Sequence, residues 1–151
     1  NKQGVYRERK CGCMIEEKII KQLIRKSLEA RNRAYAPYSG YKVGAAVYTG
    51  DGSMYSGCNI ENATYGATNC AERTAIFKAV SEGERLIRAI AITGGYETGD
   101  ELEYAYPCGI CRQVISEFAD GDTVIIVAVS EEDYRVYKVE ELLPEAFALK
   151  R

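Results

Sequence analysis

Three cysteines and one glutamate are spaced for metal chemistry in a chain that contains no histidine. The stretch 69-NCAER-73 places Glu72 two residues after Cys70, and 106-YPCGICRQ-113 carries Cys108 and Cys111. Cysteines three apart at a helix start lie on one side of its first turn. If a second helix start brings Cys70 to them, three thiolates can hold one zinc ion and leave a fourth position open to water. That is the arrangement of a catalytic site, where a structural one is closed. Three thiolates give the centre an overall negative charge, which weakens the metal as a Lewis acid unless something offsets it. Helix N-termini favour negative charge, and Arg73 and Arg112 are expected to donate hydrogen bonds to thiolate sulfur. Glu72 need not be a ligand. It can accept the proton of the activated water and deliver protons to a substrate.

Plainer readings exist for each half of the pattern. Asn69 could cap the following helix with Glu72 at its third position, a relative of the capping box. Cys-Gly-Ile-Cys could be a dithiol redox pair. A closed structural zinc site would need a fourth ligand, for which Cys58 or a cysteine of the N-terminal stretch (Cys11, Cys13) is the available thiol. The first two readings do not account for the third cysteine or the adjacent arginines. A three-cysteine zinc site with a nearby glutamate and Pro-Cys-x-x-Cys is the signature of nucleobase deaminases.

The elements that must position these residues are legible as periods. In 15-IEEKIIKQLIRKSLEARNRAY-35, Ile15, Ile19, Leu23, Ile24 and Leu28 share one helical face, and the helix is expected to end near Pro37. Tyr41, Val43, Ala45 and Val47 alternate as a strand does, 50-GDGS-53 is a turn, and 54–61 is the return strand. Residues 62–69 read as a loop. A helix is expected over about 70–82, with Ile76, Phe77 and Val80 available to the core. Residues 86–93 form a buried strand, and 94–107 a long loop of the kind that is often functional. A third helix begins near Cys108. The run 123–129 reads as a strand covered on both faces, 134–139 as a further strand, and 140–147 as a short helix interrupted by Pro144. The sum is a three-layer α/β/α domain on a mixed sheet.

Composition bounds the partners. The chain has 151 residues, 46% of them hydrophobic and 28% charged. It has 20 basic and 22 acidic residues. A polynucleotide partner calls for a basic surplus, so no nucleic acid is expected and a small molecule is. No signal peptide or membrane span is visible, which makes the cytoplasm the default and free or ligating thiols more natural than disulfides. Residues 1–13 show no period and read as a disordered or expression-derived tail, leaving 14–151 as a single domain.

Five motifs in order, 37-PYSGYKVGAAV-47, 57-GCNIENATYG-66, 70-CAERTAIFKAVSEG-83, 107-PCGICRQVISEF-118 and 141-ELLPEAF-147, resemble the small zinc-dependent cytidine deaminases over about residues 15–149. The resemblance implies a five-stranded mixed sheet, and one zinc per chain on Cys70, Cys108 and Cys111 with Glu72 as proton shuttle. It also implies a homotetramer whose subunits share their sites. By the same resemblance the substrate-binding residues are Tyr41 against the base, Asn59 and Glu61 on the ribose hydroxyls, Ala71, and Tyr65 and Phe147 reaching a neighbouring site. Asn59 and Glu61 are two apart on an extended segment and face one way; without the zinc motif they would read as solvent-facing polar residues. Tyr41 stands where the family often has Phe, so its hydroxyl needs a partner. The implied reaction is hydrolytic deamination of cytidine and 2′-deoxycytidine in pyrimidine salvage. A related aminopyrimidine nucleoside or antibiotic is the competing substrate, and a non-catalytic zinc protein the competing class.

Overall fold

The computed structural model describes residues 15–150; the tail at 1–13, with Cys11 and Cys13, lies outside them. Helix α1 spans Glu17–Arg31, strands β1 and β2 span Tyr41–Thr49 and Met54–Cys58, and helix α2 spans Ala71–Ser81. Strand β3 is Ile87–Tyr96, helix α3 Gly109–Glu117, strands β4 and β5 Val124–Ala128 and Tyr134–Lys138, and helix α4 Val139–Leu142. The sheet order is β2-β1-β3-β4-β5. Only β3 and β4 pair in parallel; the other pairs are antiparallel. This is the mixed five-stranded sheet the resemblance implies.

Alternation along the central strands sorts the core into two layers. Ile90 and Ile92 of β3 and Ile125 and Val127 of β4 join Ala75, Ile76 and Ala79 of α2 and Ile115 of α3 on one face. Ala89, Ala91, Val124, Ile126 and Ala46 face the other way, onto Ile20, Leu23 and Ile24 of α1. Small residues on the α1 side allow close contact: a Cβ on Gly44 would sit 1.9 Å from the Ser27 carbonyl oxygen. On the opposite face a Cβ on Gly57 would meet the Ala75 amide at 2.6 Å. Glycine at both positions lets a helix backbone lie against the sheet.

Several boundaries differ from the sequence expectation. Helix α1 stops at Arg31, well before Pro37, in a last turn tightened by i→i−3 bonds at Asn32, Arg33 and Ala34. The Arg31 guanidinium then donates to the carbonyls of Lys42 (3.0 Å) and Gly95 (2.8 Å). Strand β2 ends at Cys58 because the Asn59 side chain takes over the pairing with β1. Strand β3 runs on to Tyr96 through Gly94 and Gly95, beyond the end expected at residue 93. Those glycines admit a strap: a Cβ on Gly94 would be 2.7 Å from the Ala105 Cβ, and Glu103 pairs with Gly94. Phe77, expected in the core, is 48% exposed, while Val80 packs on the core partly buried. The C-terminal helix is a single turn ending before Pro144.

Candidate functional site

Two helix starts converge on the cysteines. Cys70 is the N-cap of α2 and Cys108 the N-cap of α3, both in extended conformation and neither capped by a side-chain hydrogen bond. Cys111 lies in the first turn of α3 and is fully buried. The three Sγ atoms lie within 4.8 Å of one another, with Cys70 and Cys108 3.8 Å apart. A tetrahedral zinc with Zn–S bonds of about 2.3 Å separates its sulfurs by about 3.8 Å. The cluster therefore fits a zinc ion with three protein ligands, and no other such group occurs among the described residues.

Local sequence explains why α2 begins where it does. Asn69 is not its cap: the Asn69 amide Nδ2 donates to Thr74 Oγ1 (3.0 Å), and Thr74 Oγ1 in turn lies 2.9 Å from the Cys58 carbonyl. Together they staple the first turn of α2 to the end of β2. Glu72 consequently occupies the second helical position, so the capping-box reading does not describe this helix.

Charge is arranged around the sulfurs. Arg73 Nη2 donates to Cys70 Sγ at 3.3 Å. The Cys70 thiol is pulled down to about 5, chiefly by a hydrogen bond from Cys111 and further by Arg73, and the same sulfur–sulfur contact pushes the Cys111 thiol up. Glu72 is 4% exposed, and burial, then the nearby Cys70 charge, raises its carboxyl to about 7. Arg112 goes elsewhere than expected. Its Nε donates to the Pro107 carbonyl and its Nη1 to the Leu142 carbonyl, each at 2.7 Å. It pins the end of α4 to the start of α3, so the hydrogen-bonded compensation at the thiolates comes from Arg73.

The remaining site residues divide into two groups. Asn59, 9% exposed, accepts from the Val43 amide at Oδ1 (2.9 Å) and donates from Nδ2 to the Tyr41 carbonyl (2.8 Å). Glu61 Oε1 accepts from the amides of Tyr38 (2.9 Å) and Ser39 (3.1 Å), and its pKa is lowered first by the Ser39 hydroxyl and then by these two amides. Tyr41 meets Tyr96 edge to face at 5.0 Å, and its hydroxyl donates to Glu103 Oε2 at 3.3 Å, the partner that a tyrosine at this position needs. Ala71 is fully buried at the start of α2. Tyr65 and Phe147 form the second group, 77% and 70% exposed. Among the described residues the one aromatic contact of Tyr65 is edge-on to Tyr38 (6.2 Å), and the Phe147 carbonyl accepts from Gln113 Nε2 (3.0 Å). Sequence reasoning missed Ser39, Thr74 and Glu103. The signal for Ser39 was the turn itself, Pro-Tyr-Ser followed by Gly40 at φ 68°. Glu103 gave no signal, because its place depends on the strap crossing Gly94.

The chain is similar to known proteins over most of its length. The model of the cytidine and deoxycytidylate deaminase zinc-binding region matches residues 17–127. The chain is 49% identical over 125 residues to the cytidine deaminase of Halalkalibacterium halodurans, covering 83% of this chain and 91% of that one. It is 46% identical over 129 residues to that of Sporosarcina psychrophila, covering 85% and 91%. The crystal structure of the cytidine deaminase from Burkholderia pseudomallei superposes with a TM-score of 0.75 at 44% identity, over 83% of this chain and 97% of that one. Likeness of this extent, over this much of both chains, leaves one conclusion: the chain is an enzyme of the zinc-binding cytidine and deoxycytidylate deaminase family.

Proposed function

We propose that the enzyme hydrolyses the amino group of cytidine and 2′-deoxycytidine, releasing ammonia and leaving uridine or 2′-deoxyuridine, as a cytoplasmic step of pyrimidine salvage. The observation that carries the reading is the buried Glu72 beside a three-sulfur cluster of zinc dimensions. Zinc held by Cys70, Cys108 and Cys111 would supply a Lewis acid that makes water a nucleophile near neutral pH. Glu72 takes one proton from that water and gives it to N3 as the oxygen bonds to C4. It then carries the second proton to the departing amino group, so that ammonia leaves and the carbonyl forms. Arg73 holds the Cys70 sulfur and offsets its charge. Burial of Glu72 keeps bulk water from competing for these protons.

Tyr41 packs its ring against the base. The second N–H of the Asn59 amide and the free lone pairs of Glu61 meet the ribose hydroxyls. A carboxylate there repels a phosphate, which supports a free nucleoside over a nucleotide or a strand, as does the absence of a basic surplus. The exposure of Tyr65 and Phe147 supports a homotetramer in which they complete a neighbour's site.

The test is turnover by zinc-loaded protein, followed by ultraviolet absorbance and ammonia release. Cytidine and 2′-deoxycytidine are compared with cytosine, CMP and blasticidin S. Brisk conversion of the two nucleosides is expected. Preference for blasticidin S, or no deamination of any of them with zinc bound, would refute the reading.

A further inference from the structure

We propose that Ser39 is a positioning residue that couples the sugar-reading end of the site to the base-reading end; the inference rests on the roles given above to Glu61 and Tyr41. A serine hydroxyl has one proton to give and lone pairs to receive. Ser39 Oγ gives its proton to Glu61 Oε2 at 2.6 Å and receives the Tyr41 amide at 3.0 Å. One atom therefore touches both the carboxylate assigned to the sugar and the backbone of the ring assigned to the base.

The turn does not need that hydroxyl to close. Its own bond runs from the Gly40 amide to the Ala36 carbonyl at 2.9 Å, and Gly40 supplies the left-handed φ. Glu61 Oε1 already takes two backbone amides of the turn. The Ser39 hydroxyl adds the one bond to Oε2, so both carboxylate oxygens are fixed and the plane of the group with them. A short bond to a charged acceptor is the strong kind. It also sets polarity: the Ser39 proton is committed to Glu61, so a ligand at Oε2 meets an acceptor and must itself donate. A sugar hydroxyl does so; a hydrogen or an ester at that position does not. The other sugar residue reaches Tyr41 too, through Asn59 Nδ2 on the Tyr41 carbonyl. Tyr41 is thus held at its amide by way of Glu61 and at its carbonyl by Asn59.

The experiment compares kcat and KM for cytidine and 2′,3′-dideoxycytidine in Ser39→Ala, Ser39→Thr and Glu61→Gln, each assayed at verified zinc content. For Ser39→Ala the 2′,3′-dideoxycytidine KM is expected to rise about threefold, through the loosened Tyr41, and the cytidine KM about thirtyfold, with kcat within about twofold for both. The preference for cytidine over the dideoxynucleoside in kcat/KM should fall about tenfold. Ser39→Thr, which keeps the hydroxyl, should restore both values. A Ser39→Ala change that is equal for the two substrates marks a structural role only and overturns the inference, as does a zinc-loaded Ser39→Thr that behaves like alanine. If Glu61→Gln abolishes the preference while Ser39→Ala leaves it intact, only the Ser39 inference falls. If Glu61→Gln leaves it intact as well, the ribose role of Glu61 falls with it.

Discussion

Replacing Gly57 by alanine puts one methyl group where the structure has no room. The new Cβ would lie 2.6 Å from the Ala75 amide nitrogen and 2.8 Å from both Cβ and Cγ2 of Thr74. Ordinary contact begins near 3.4 Å, so the shortfall is about 0.8 Å. The obstruction is helix backbone and a branched side chain, neither of which can swing aside, so the start of α2 must move off β2. Overpacking of this kind costs about 1–3 kcal/mol. For a domain of this size that lowers the melting temperature by roughly 2–12 °C. The same movement strains the Thr74 staple to Cys58 and displaces Glu72, which rides on the first turn of α2. A displacement approaching 1 Å in a reacting group can reduce turnover by about 100-fold. The assay is thermal unfolding and cytidine turnover of Gly57→Ala, with Gly121→Ala as control because nothing lies within 4 Å of a Cβ there. A Gly57→Ala enzyme that melts and turns over like the parent would refute the packing argument.

Glu72→Gln, nearly the same shape without the proton-carrying charge, should bind zinc normally by metal analysis and lose about 100- to 10,000-fold in kcat; near-normal turnover would remove Glu72 from the chemistry. Arg73→Ala deletes the hydrogen bond to the Cys70 sulfur and should lower kcat about tenfold with zinc still bound, whereas an unchanged kcat would assign charge compensation to the helix ends alone. Tyr41→Phe removes only an exposed 3.3 Å bond to Glu103, so stability by denaturant titration should change by less than about 1 kcal/mol. A larger loss would mean that the strap over Gly94 depends on that hydroxyl. Chelation should abolish activity, and about one zinc per chain should restore it; recovery with magnesium alone would contradict a thiolate site.

The metal cluster was legible because its signal is local. Residue type and spacing placed Cys108 and Cys111 on one helical turn, and Cys70 needed only a second helix start. The two-faced sheet was legible from alternation and from the unbroken apolar run of β4. What escaped were features made by contact between segments distant in sequence. Gly94 and Gly95 look like loop residues until the 101–105 strap is seen to cross them. Arg112 sits beside a thiolate in sequence, yet its planar fork finds the carbonyls of Pro107 and Leu142. Phe77 reads as core by hydrophobicity, but α2 turns it outward. Asn59 and Glu61 were legible as a polar pair two residues apart. Their involvement with Tyr41 was not: Glu61 reaches it through Ser39 of the turn at 37–40, and Asn59 by a direct bond to its carbonyl.

The sulfurs of Cys70 and Cys108 belong to residues 38 apart in the chain, and the two are carried by different helices on one face of the sheet. A cation bridging them acts as a reversible cross-link that closes this segment into a ring, with α2 and β3 inside it. Closing a ring of that length in the unfolded chain is worth about 4 kcal/mol in chain entropy. Metal occupancy should therefore be written into the amide hydrogen exchange of α2 and β3 well before it shows in α1, which lies outside the ring and is anchored by its own packing against the opposite face.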